Sequence, residues 1–170
     1  MTAIRRAAVQ DAAAIARVHV ASWQTTYPGM VPQRVLDRLS AERRREMWAS
    51  RLAEPAETRT WVAELDGAIV GFVGTTIRDE HARPRTGELE SIYLLAKARR
   101  QGIGTQLMDA ALQDLAERQV ESVTLWVLTA NAVARSFYEQ AGWRATGETN
   151  LLDFDGTPVE ELRYELSLKS

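Results

Sequence analysis

The segment from Gly87 to Leu115 constrains the fold more than any other part of the chain. It reads as an apolar strand around Leu89 to Leu94, a basic glycine turn from Arg99 to Gly104, and a helix. Apolar residues recur in the helix at steps of three and four, which predicts one buried face. These residues are Ile103, Leu107, Met108, Ala111, Leu112 and Leu115. A strand that leads through a glycine turn into a helix directs unpaired N–H groups and the positive end of the helix dipole toward the turn. The sequence therefore predicts an anion-binding turn, of the kind most often used for phosphate.

The amino-acid sequence of the turn excludes two well-known phosphate-binding motifs. Leu107 stands where the dinucleotide fingerprint needs its third glycine, and the Gly-Lys pair of the triphosphate-binding loop occurs nowhere in the chain. The turn reads Arg99-x-x-Gly102-x-Gly104. Between a strand and an amphipathic helix, it resembles the acetyl-CoA signature of the GNAT superfamily of N-acetyltransferases, Gln/Arg-x-x-Gly-x-Gly/Ala. A second block, from Asn131 to Trp143, is similar to that superfamily's Asn-x-x-Ala-x-x-Phe-Tyr-x-x-x-Gly-Phe segment.

The order of predicted elements is strand, two helices, three strands, helix, strand, helix and two strands. Asp-Gly pairs beginning at Asp66 and Asp155 mark two hairpin turns. The pattern predicts an α/β fold of the α+β kind: a mixed, mainly antiparallel central sheet of about seven strands flanked by about four helices. Besides the central strand, strands are predicted over residues 3–7, 60–65, 68–77, 122–128, 143–151 and 159–168. Besides the central helix, one helix is predicted to begin at Asp11, a helix or helix pair to cover residues 32–52, and a further helix to cover residues 131–141. The resemblance extends along essentially the whole chain, and we expect one domain over residues 1–170.

Composition narrows the chemistry and the partners. The chain has no cysteine, which excludes a thiol nucleophile, thiolate metal sites and disulfides. Its formal net charge of −2 indicates no general affinity for nucleic acid or anionic membranes. The N-terminus, MTAIRRAAVQ, lacks the apolar core of a signal peptide, and no apolar run has the length of a membrane span. We therefore expect a soluble cytoplasmic protein without a metal cofactor, and the sequence leaves a homodimer open.

The resemblance implies that acetyl-CoA lies in a wedge between the central strand and the next one, and that the amine attacks the thioester without an acyl-enzyme. The pantetheine arm would pair with the central strand like an added strand, with the Leu94 N–H near the thioester oxygen. Backbone N–H groups of the glycine turn would wrap the pyrophosphate; the alternative is a turn that needs its glycines for geometry alone. The side chains of the central strand are expected in the core. The implied cofactor-binding residues are Ile92, Tyr93, Leu94, Arg99, Arg100, Gln101, Gly102, Ile103, Gly104, Thr105, Asn131, Arg135 and Tyr138.

Tyr138 is the residue that the resemblance assigns to protonating the departing CoA sulfur. The spacing from Asn131 to Tyr138 is almost two helical turns, so these residues share a helix face while Phe137 points elsewhere. One aromatic residue would therefore serve the core and the other the cleft. The alternative is that Tyr138 only packs, with its hydroxyl in water.

Glu88 and Glu90 are the candidates for removing a proton from the attacking ammonium. They lie two residues apart on the central strand, so their side chains share one face. Counted back from the glycine turn, Glu88 takes the position of the general base in the histone-modifying branch of the superfamily. A branch that acetylates ribosomal protein N-termini has its base on the following strand, where this chain has Leu128, which argues against that chemistry here. Either glutamate could equally be a structural ion-pair partner.

The acceptor site is expected between the loop Ser22 to Met30, the second helix and the final hairpin. Trp23 and Tyr27 are candidates for its walls, whereas Trp48 is expected in the core. The sequence thus predicts an acetyl-CoA-dependent N-acetyltransferase that acts on a primary amine of a small molecule, peptide or protein. The alternative is a non-catalytic sensor or interaction module that keeps the fold and binds CoA. A nucleotide-binding regulatory domain is disfavoured because both nucleotide motifs are missing.

Overall fold

The computed structural model describes residues 1–54, 58–79 and 81–169 of the chain. These residues form seven strands: β1 Thr2–Arg6, β2 Thr58–Leu65, β3 Ala68–Ile77, β4 Thr86–Leu94, β5 Ser122–Leu128, β6 Arg144–Phe154 and β7 Thr157–Ser167. They also form five α-helices: α1 Ala12–Thr26, α2 Gln33–Asp37, α3 Ala41–Ala53, α4 Ile103–Glu117 and α5 Ala132–Gln140. Short 3-10 turns at Val9–Asp11 and Ala96–Ala98 precede α1 and follow β4.

All seven strands join in one sheet, in the order β1-β2-β3-β4-β5-β7-β6. Neighbouring strands run antiparallel except β4 and β5, which are parallel. Helix α4 joins that parallel pair, since a parallel connection needs a crossover long enough to return to the same end of the sheet. The predicted mixed, mainly antiparallel sheet of about seven strands is confirmed.

Both Asp-Gly pairs close hairpins, as predicted. The φ angles are 51° and 83° at Asp66 and Gly67, and 51° and 85° at Asp155 and Gly156. Two successive positive φ angles are typical of the two-residue turn whose twist matches that of antiparallel strands. Aspartate tolerates this conformation and glycine adopts it without steric cost, so the pair fixes the register of each hairpin.

The helical region before β2 differs in detail from the prediction. The segment over residues 32–52 is a helix pair, because the helical structure is interrupted between α2 and α3. The Ser40 side chain accepts a hydrogen bond from the Arg43 N–H at 3.4 Å and so caps α3. The loop predicted to begin at Ser22 begins later, since α1 continues to Thr26. Pro28 interrupts the chain only after that point, and Trp23 is therefore a helical residue.

Asp11 stands at the N-cap position of α1, but its carboxylate does not cap the helix. It accepts from the Ala8 N–H at 2.7 Å and pairs with Arg5 at 2.8 Å. The Arg5 guanidinium lowers the pKa of Asp11 below its usual value, with the Ala8 N–H adding to the effect. This pair ties β1 to the start of α1.

Helices cover both faces of the sheet and bury two cores. One core lies under α4 and α5 and includes Leu89, Val123 and Tyr164. The other lies under α1 and α3 and includes Trp48, as predicted, and Phe72. Each such buried side chain stabilises the fold by roughly 1.5–3 kcal/mol relative to an exposed one. Because the two cores meet across β3 and β4, the middle of the sheet is firmly supported on both sides.

Within the described ranges, none of the helices combines the length and the apolar character needed to cross a bilayer. Nor do three or more His, Asp or Glu side chains come together in those ranges in a way that could hold a metal ion.

Candidate active site

Strands β4 and β5 separate from each other part-way along their length. Their parallel pairing covers three residue pairs, the last of which joins Glu88 to Thr124. Beyond that pair, β4 continues to Leu94 and β5 to Leu128 without pairing with each other, while β5 stays paired with β7. The backbone of residues 89–94 therefore has a free edge toward β5. We call this opening between the two strands the notch.

A β-bulge at Glu90 sets the direction of the side chains along the notch. The register of β4 with β3 shifts between Leu89 and Ser91, so that Glu90 has no opposite residue on β3. As a result Leu89 and Ile92 both pack into the core under α4, although they are three residues apart, and Tyr93 packs on the opposite face. A bulge re-aims a strand in this way without ending it.

The turn between β4 and α4 contains a run of backbone N–H groups without backbone partners in the described chain. Arg100 and Gly102 both have positive φ angles, 60° and 78°. In the described chain, the N–H groups of residues 100–105 make no backbone hydrogen bond, and the helical bonding begins with the Gln106 N–H, which donates to the Gly102 carbonyl at 3.1 Å. These unpaired donors, together with the helix dipole, make the turn attractive to an anion.

The two glycines of the turn are needed for different reasons. A Cβ on Gly102 would meet nothing within 4 Å, so this position requires glycine for its φ angle rather than for space. A Cβ on Gly104 would lie 3.4 Å from both Leu94 Cδ1 and Phe137 Cζ. Gly104 therefore lets the first turn of α4 pack closely against the end of β4 and against α5.

The Arg99 side chain joins the turn to α1 and β4. Its Nε donates to the Leu94 carbonyl at 3.3 Å, and its Nη2 donates to Thr26 Oγ1 at 2.9 Å. The Ser22 hydroxyl donates to the same Leu94 carbonyl at 3.2 Å. The C-terminal part of α1, the end of β4 and the turn of residues 99–105 are thus held together by these hydrogen bonds.

Tyr138 lies on α5 with 7 % of its surface exposed. Its ring packs against Trp143 and Tyr164, with centroid distances of 6.1 and 6.4 Å. Burial raises the pKa of the Tyr138 phenol, and the nearby Tyr93 hydroxyl raises it further. The phenol is therefore protonated at neutral pH, and its hydroxyl makes no hydrogen bond to another described residue.

Asn131 and Arg135, two of the residues predicted to bind the cofactor, are engaged inside the protein. Asn131 Oδ1 accepts from the Ala134 N–H at 3.2 Å and caps α5. Arg135 donates to the Thr129 carbonyl at 3.1 Å and to the Tyr164 hydroxyl at 3.2 Å. Both side chains hold α5 against the end of β5 and against β7.

On the opposite face of the sheet, His19 stands at the centre of a group of aromatic rings. Its imidazole stacks on Tyr93 at a centroid distance of 5.5 Å and an interplanar angle of 16°. Three further rings surround it at 5.8–6.0 Å, those of Trp23, Trp48 and Phe72. Most of the described aromatic side chains of α1, α3 and β4 therefore form one connected wall.

His19 is neutral in the folded protein. Its Nδ1 accepts a hydrogen bond from the Trp48 indole at 3.2 Å, and since an indole nitrogen can only donate, the imidazole proton must be on Nε2. Burial lowers the pKa of His19 to about 4, and the positive charges of Arg44 and Arg51 add to this effect. Because Nδ1 is occupied, His19 is not available as a general base.

The predicted wall residues Trp23 and Tyr27 lie together at the C-terminal end of α1. Their rings meet edge to face at 4.9 Å, and the Tyr27 hydroxyl lies 3.3 Å from the Tyr93 hydroxyl. Trp23 also contacts Phe154 at 6.3 Å, which links α1 to the β6–β7 hairpin. The Tyr93 side chain, expected to be core only, therefore shares its hydroxyl with this wall.

Both glutamates on β4 already have an arginine partner. Glu90, at the bulge, pairs with Arg51 of α3, and Glu88 pairs with Arg78. Glu88 also lies where β4 is still paired with β5, and it is roughly 20 Å from Leu94 along the strand at ~3.3 Å per residue. These ion pairs are compatible with the structural alternative, and a catalytic role of either glutamate stays a prediction.

The structure reveals one further residue, Glu161 on β7, that the sequence did not indicate. Strand alternation places it with Arg163 and Glu165 on the polar side of β7, yet it is only 8 % exposed. Its Oε1 accepts from Asn150 Nδ2 at 3.0 Å. No local signal could have separated Glu161 from its polar neighbours, because burial on this face depends on which distant segments fold over the strand.

Two hollows lie near these residues. A cleft of about 580 Å³ separates the segment Gly29–Gln33 from Thr157–Glu160 on β7, where the acceptor site was expected. A groove of about 290 Å³ lies over Glu88 and Trp126. Neither of these two hollows is lined by Tyr138 or by residues 99–105.

Comparison with known proteins identifies the family. Residues 17–143 match the profile of the acetyltransferase (GNAT) family. The chain is 34% identical over 164 residues to the uncharacterized N-acetyltransferase YuaI of Bacillus subtilis, which covers 95% of this chain and 91% of YuaI. The fold is similar to that of the PaiA N-acetyltransferase from Thermoplasma acidophilum in complex with coenzyme A, with a TM-score of 0.79 at 21% identity over 98% of this chain and 99% of the other. It is also similar to that of YncA from Salmonella typhimurium, solved with its cofactor acetyl-CoA, with a TM-score of 0.75 at 17% identity over 100% of this chain and 95% of the other. Since the family profile spans most of the residues and YuaI aligns over nearly its whole length, the chain belongs to the acetyltransferase (GNAT) family.

Proposed function

We propose that this acetyltransferase transfers the acetyl group of acetyl-CoA directly to a primary amine of a small molecule, peptide or protein. The observation that carries the proposal is the notch, whose free β4 edge ends at Leu94, beside the anion-binding turn. An extended ligand can bond to such an edge as an added strand would, while its phosphates meet the N–H groups of residues 100–105. Acetyl-CoA has this form, with an amide-bearing arm that leads from a thioester to a pyrophosphate.

The solved relatives support this choice of cosubstrate. PaiA from Thermoplasma acidophilum holds coenzyme A and YncA from Salmonella typhimurium holds acetyl-CoA in structures of the same fold. In this chain, the backbone of Ile92, Tyr93 and Leu94 would bind the arm, and the turn from Arg99 to Thr105 would bind the pyrophosphate. For Asn131 and Arg135, the internal hydrogen bonds favour a supporting role that fixes α5.

Direct transfer suits the side chains that this protein has. A covalent acyl-enzyme needs a strong nucleophile, and the chain contains no cysteine. Direct attack needs only a deprotonated amine, an acetyl group held in line with it, and a donor for the leaving sulfur.

Tyr138 would serve as that donor. Its phenol is buried and protonated, and a hydroxyl that donates to sulfur stabilises the thiolate as the C–S bond breaks more than it stabilises the intact thioester. A hydroxyl that already bonded to the protein would have to give up that bond first. The Tyr138 hydroxyl has no hydrogen bond to any residue that the structure describes, which supports the role of acid.

The acceptor would lie on the other side of the notch, against Trp23, Tyr27 and Tyr93. Aromatic rings with hydroxyl groups at their edges favour an amine whose carbon skeleton is partly apolar. Burial raises the pKa of both the Tyr27 and the Tyr93 phenol, so they are neutral hydrogen-bonding groups at physiological pH.

One observation favours the alternative, a CoA-binding module without catalysis. Both β4 glutamates, Glu88 and Glu90, are paired with arginine, so neither is a free base. The two functions make different predictions for turnover and the same prediction for cofactor binding.

A thiol-release assay separates the two functions. Titration calorimetry with acetyl-CoA should show binding in either case. Incubation with acetyl-CoA and a panel of primary amines (an alkylamine, a polyamine, an aminoglycoside, free amino acids and peptides with a free α-amine) should release CoA thiol only from an enzyme. Because the chain has no cysteine, a thiol-reactive dye reports CoA alone. Binding without thiol release for every amine would support the module, and absence of binding would contradict both.

The cytoplasmic location, the single domain over residues 1–170 and the homodimer stay predictions. Fractionation, limited proteolysis and sedimentation would test them.

A further inference from the structure

Glu161 is a buried carboxylate without a cationic partner in the part of the chain that the structure describes. It is 8 % exposed, and only its Oε1 accepts a protein hydrogen bond there, from Asn150. Arg163, on the same face of β7, pairs with Glu148 at 2.6 Å instead. Burying an ionised carboxylate is costly unless a cation or several hydrogen bonds compensate it. Among the described residues, Glu161 thus lacks the cation that would compensate its burial.

The position of Glu161 relates it to the acceptor side of the notch. In the register of β5 with β7 it is opposite Leu128, the last residue of β5, where that strand has separated from β4. Its neighbours Leu162 and Tyr164 pack into the core under α4 and α5, so Glu161 projects from the face that α1 and α3 cover. The residues just before it, Thr157–Glu160, line the cleft described above. Glu161 is the next residue along β7, on the side of these residues away from the hairpin turn.

The two glutamates on β4 differ from Glu161 because each of them is paired with an arginine. An ammonium that approached Glu90 or Glu88 would have to displace Arg51 or Arg78. At Glu161 an arriving ammonium displaces no side-chain cation of the described residues, and it supplies the charge that the buried carboxylate lacks.

We propose that Glu161 binds the ammonium of the acceptor and takes its first proton, an assignment that rests on the proposed function. The ammonium gives one proton to Glu161 Oε2, and the freed lone pair forms a C–N bond with the thioester carbonyl carbon. The C–S bond then breaks, its electron pair goes to sulfur, and the sulfur takes a proton from the Tyr138 hydroxyl. The surplus proton on nitrogen returns through water to the Tyr138 oxygen, and Glu161 releases its proton to solvent. One ammonium and one acetyl-CoA thus give one amide, one CoA thiol and one proton.

The test is Glu161→Gln, assayed with the amine of the panel that the wild type acetylates fastest. Glutamine keeps the oxygen that accepts from Asn150 but cannot take a proton. We expect kcat/KM at pH 7 to fall by about 10²- to 10⁴-fold, the usual contribution of a general base. The rate of the variant should recover by about tenfold per pH unit as solvent deprotonates more of the amine, so the gap to the wild type should close as the pH approaches the pKa of the amine.

Matched variants separate chemistry from structure. Glu165→Gln removes a charge from the same face of the same strand and should leave the rate unchanged. Asn150→Ala removes the hydrogen bond to Glu161 but keeps the carboxylate, so we expect a loss of less than about tenfold and a wild-type pH profile. Glu161→Asp, which keeps the charge on a shorter side chain, should retain more activity than Glu161→Gln and serves if the latter does not fold.

Three results would overturn the assignment. The first is a Glu161→Gln variant with the rate and pH profile of the wild type. The second is an equal loss in Asn150→Ala, which would make Glu161 structural. The third is a pH-dependent loss in Glu88→Gln or Glu90→Gln with none in Glu161→Gln, which would place the base on β4. A wild type that acetylates no amine would instead overturn the proposed function, and this assignment with it.

Discussion

The two sides of the notch are built in different ways. The proposed cofactor side comes from two continuous segments, residues 86–105 and 131–143, and its main groups are backbone N–H donors. In our proposal the acceptor side comes from α1, α3, β4 and β7, and its groups are side chains: the ring wall around His19, Glu90 with its arginine partner, and Glu161, which has no cationic partner among the described residues.

The difference shows which parts of a site are free to change. A binding turn made of backbone N–H groups needs glycines at fixed positions before a helix, but most of its other side chains can vary. It therefore tolerates most substitutions. An acceptor side made of side chains can be altered one residue at a time without disturbing this turn. One fold can thus keep its cosubstrate while its acceptor varies.

Tyr138 stands between the two sides, and its variant should show the largest effect. Tyr138→Phe keeps the ring in its packing and removes only the hydroxyl. We expect kcat to fall by about 10²- to 10⁴-fold where chemistry limits the rate, while the Kd for acetyl-CoA is nearly unchanged. Steady-state kinetics and calorimetry measure the two quantities.

Tyr164→Phe is the control for that experiment. It also removes a buried hydroxyl, but one that donates to Glu139 Oε1 at 2.7 Å, so it should lower the melting temperature and leave kcat close to that of the wild type. Wild-type kcat in Tyr138→Phe, with chemistry shown to be rate-limiting, would return Tyr138 to a packing role.

The cofactor side alone is tested by a charge at the turn. Thr105 is exposed in the first turn of α4, where an aspartate favours the helix through its dipole and so should not harm stability. Thr105→Asp should nevertheless weaken acetyl-CoA binding by about 10²- to 10³-fold, because like charges placed together cost several kcal/mol. Thr105→Asn has nearly the same shape without the charge and should bind almost normally.

Calorimetry on both Thr105 variants, with thermal melts to confirm folding, gives the answer. Equal affinity of Thr105→Asp and Thr105→Asn would show that the pyrophosphate does not lie at this turn.

The pH dependence of the free energy of unfolding tests the burial of His19, at the centre of the aromatic rings on the proposed acceptor side. Its pKa is lowered to about 4 in the folded state, so between the unfolded value near 6.5 and about 4 only the unfolded chain binds the proton. Above pH 6.5 the neutral His19 therefore does not reduce the free energy of unfolding. As the pH falls toward 4, the free energy of unfolding decreases by about 3 kcal/mol in total.

Denaturant unfolding at several pH values should reveal this loss. His19→Gln can still accept from Trp48 but does not titrate, so the wild type should lose about 3 kcal/mol relative to that variant between pH 7 and pH 4. His81→Gln, at an exposed position, should behave like the wild type. Parallel curves for wild type and His19→Gln would contradict a neutral buried His19.

The same contrast explains how much could be predicted from the sequence. The order of strands and helices along the chain and both Asp-Gly hairpins were predictable, because each depends on residues close together in the chain. The arginine partners of Glu88 and Glu90, the ring stacking of His19 on Tyr93 and the burial of Glu161 were not. They depend on which distant segments meet, and the alternation of β7 describes Glu161 and exposed Glu165 in the same way. The bulge at Glu90 also lacks a local signal, because a bulge is a property of the pairing with β3.

The notch has a consequence for how the protein behaves in a crowded solution. A free strand edge is ordinarily a template on which other chains can assemble, and natural sheets shield their outer edges for that reason. The free edge of residues 89–94 lies in the middle of the sheet, with β5 and its partner β7 beyond it. The edge of another sheet would have to displace β5 and β7 to pair with these residues, whereas a single extended ligand need not. The backbone groups of residues 89–94 can therefore stay unpaired and ready for a ligand without serving as such a template.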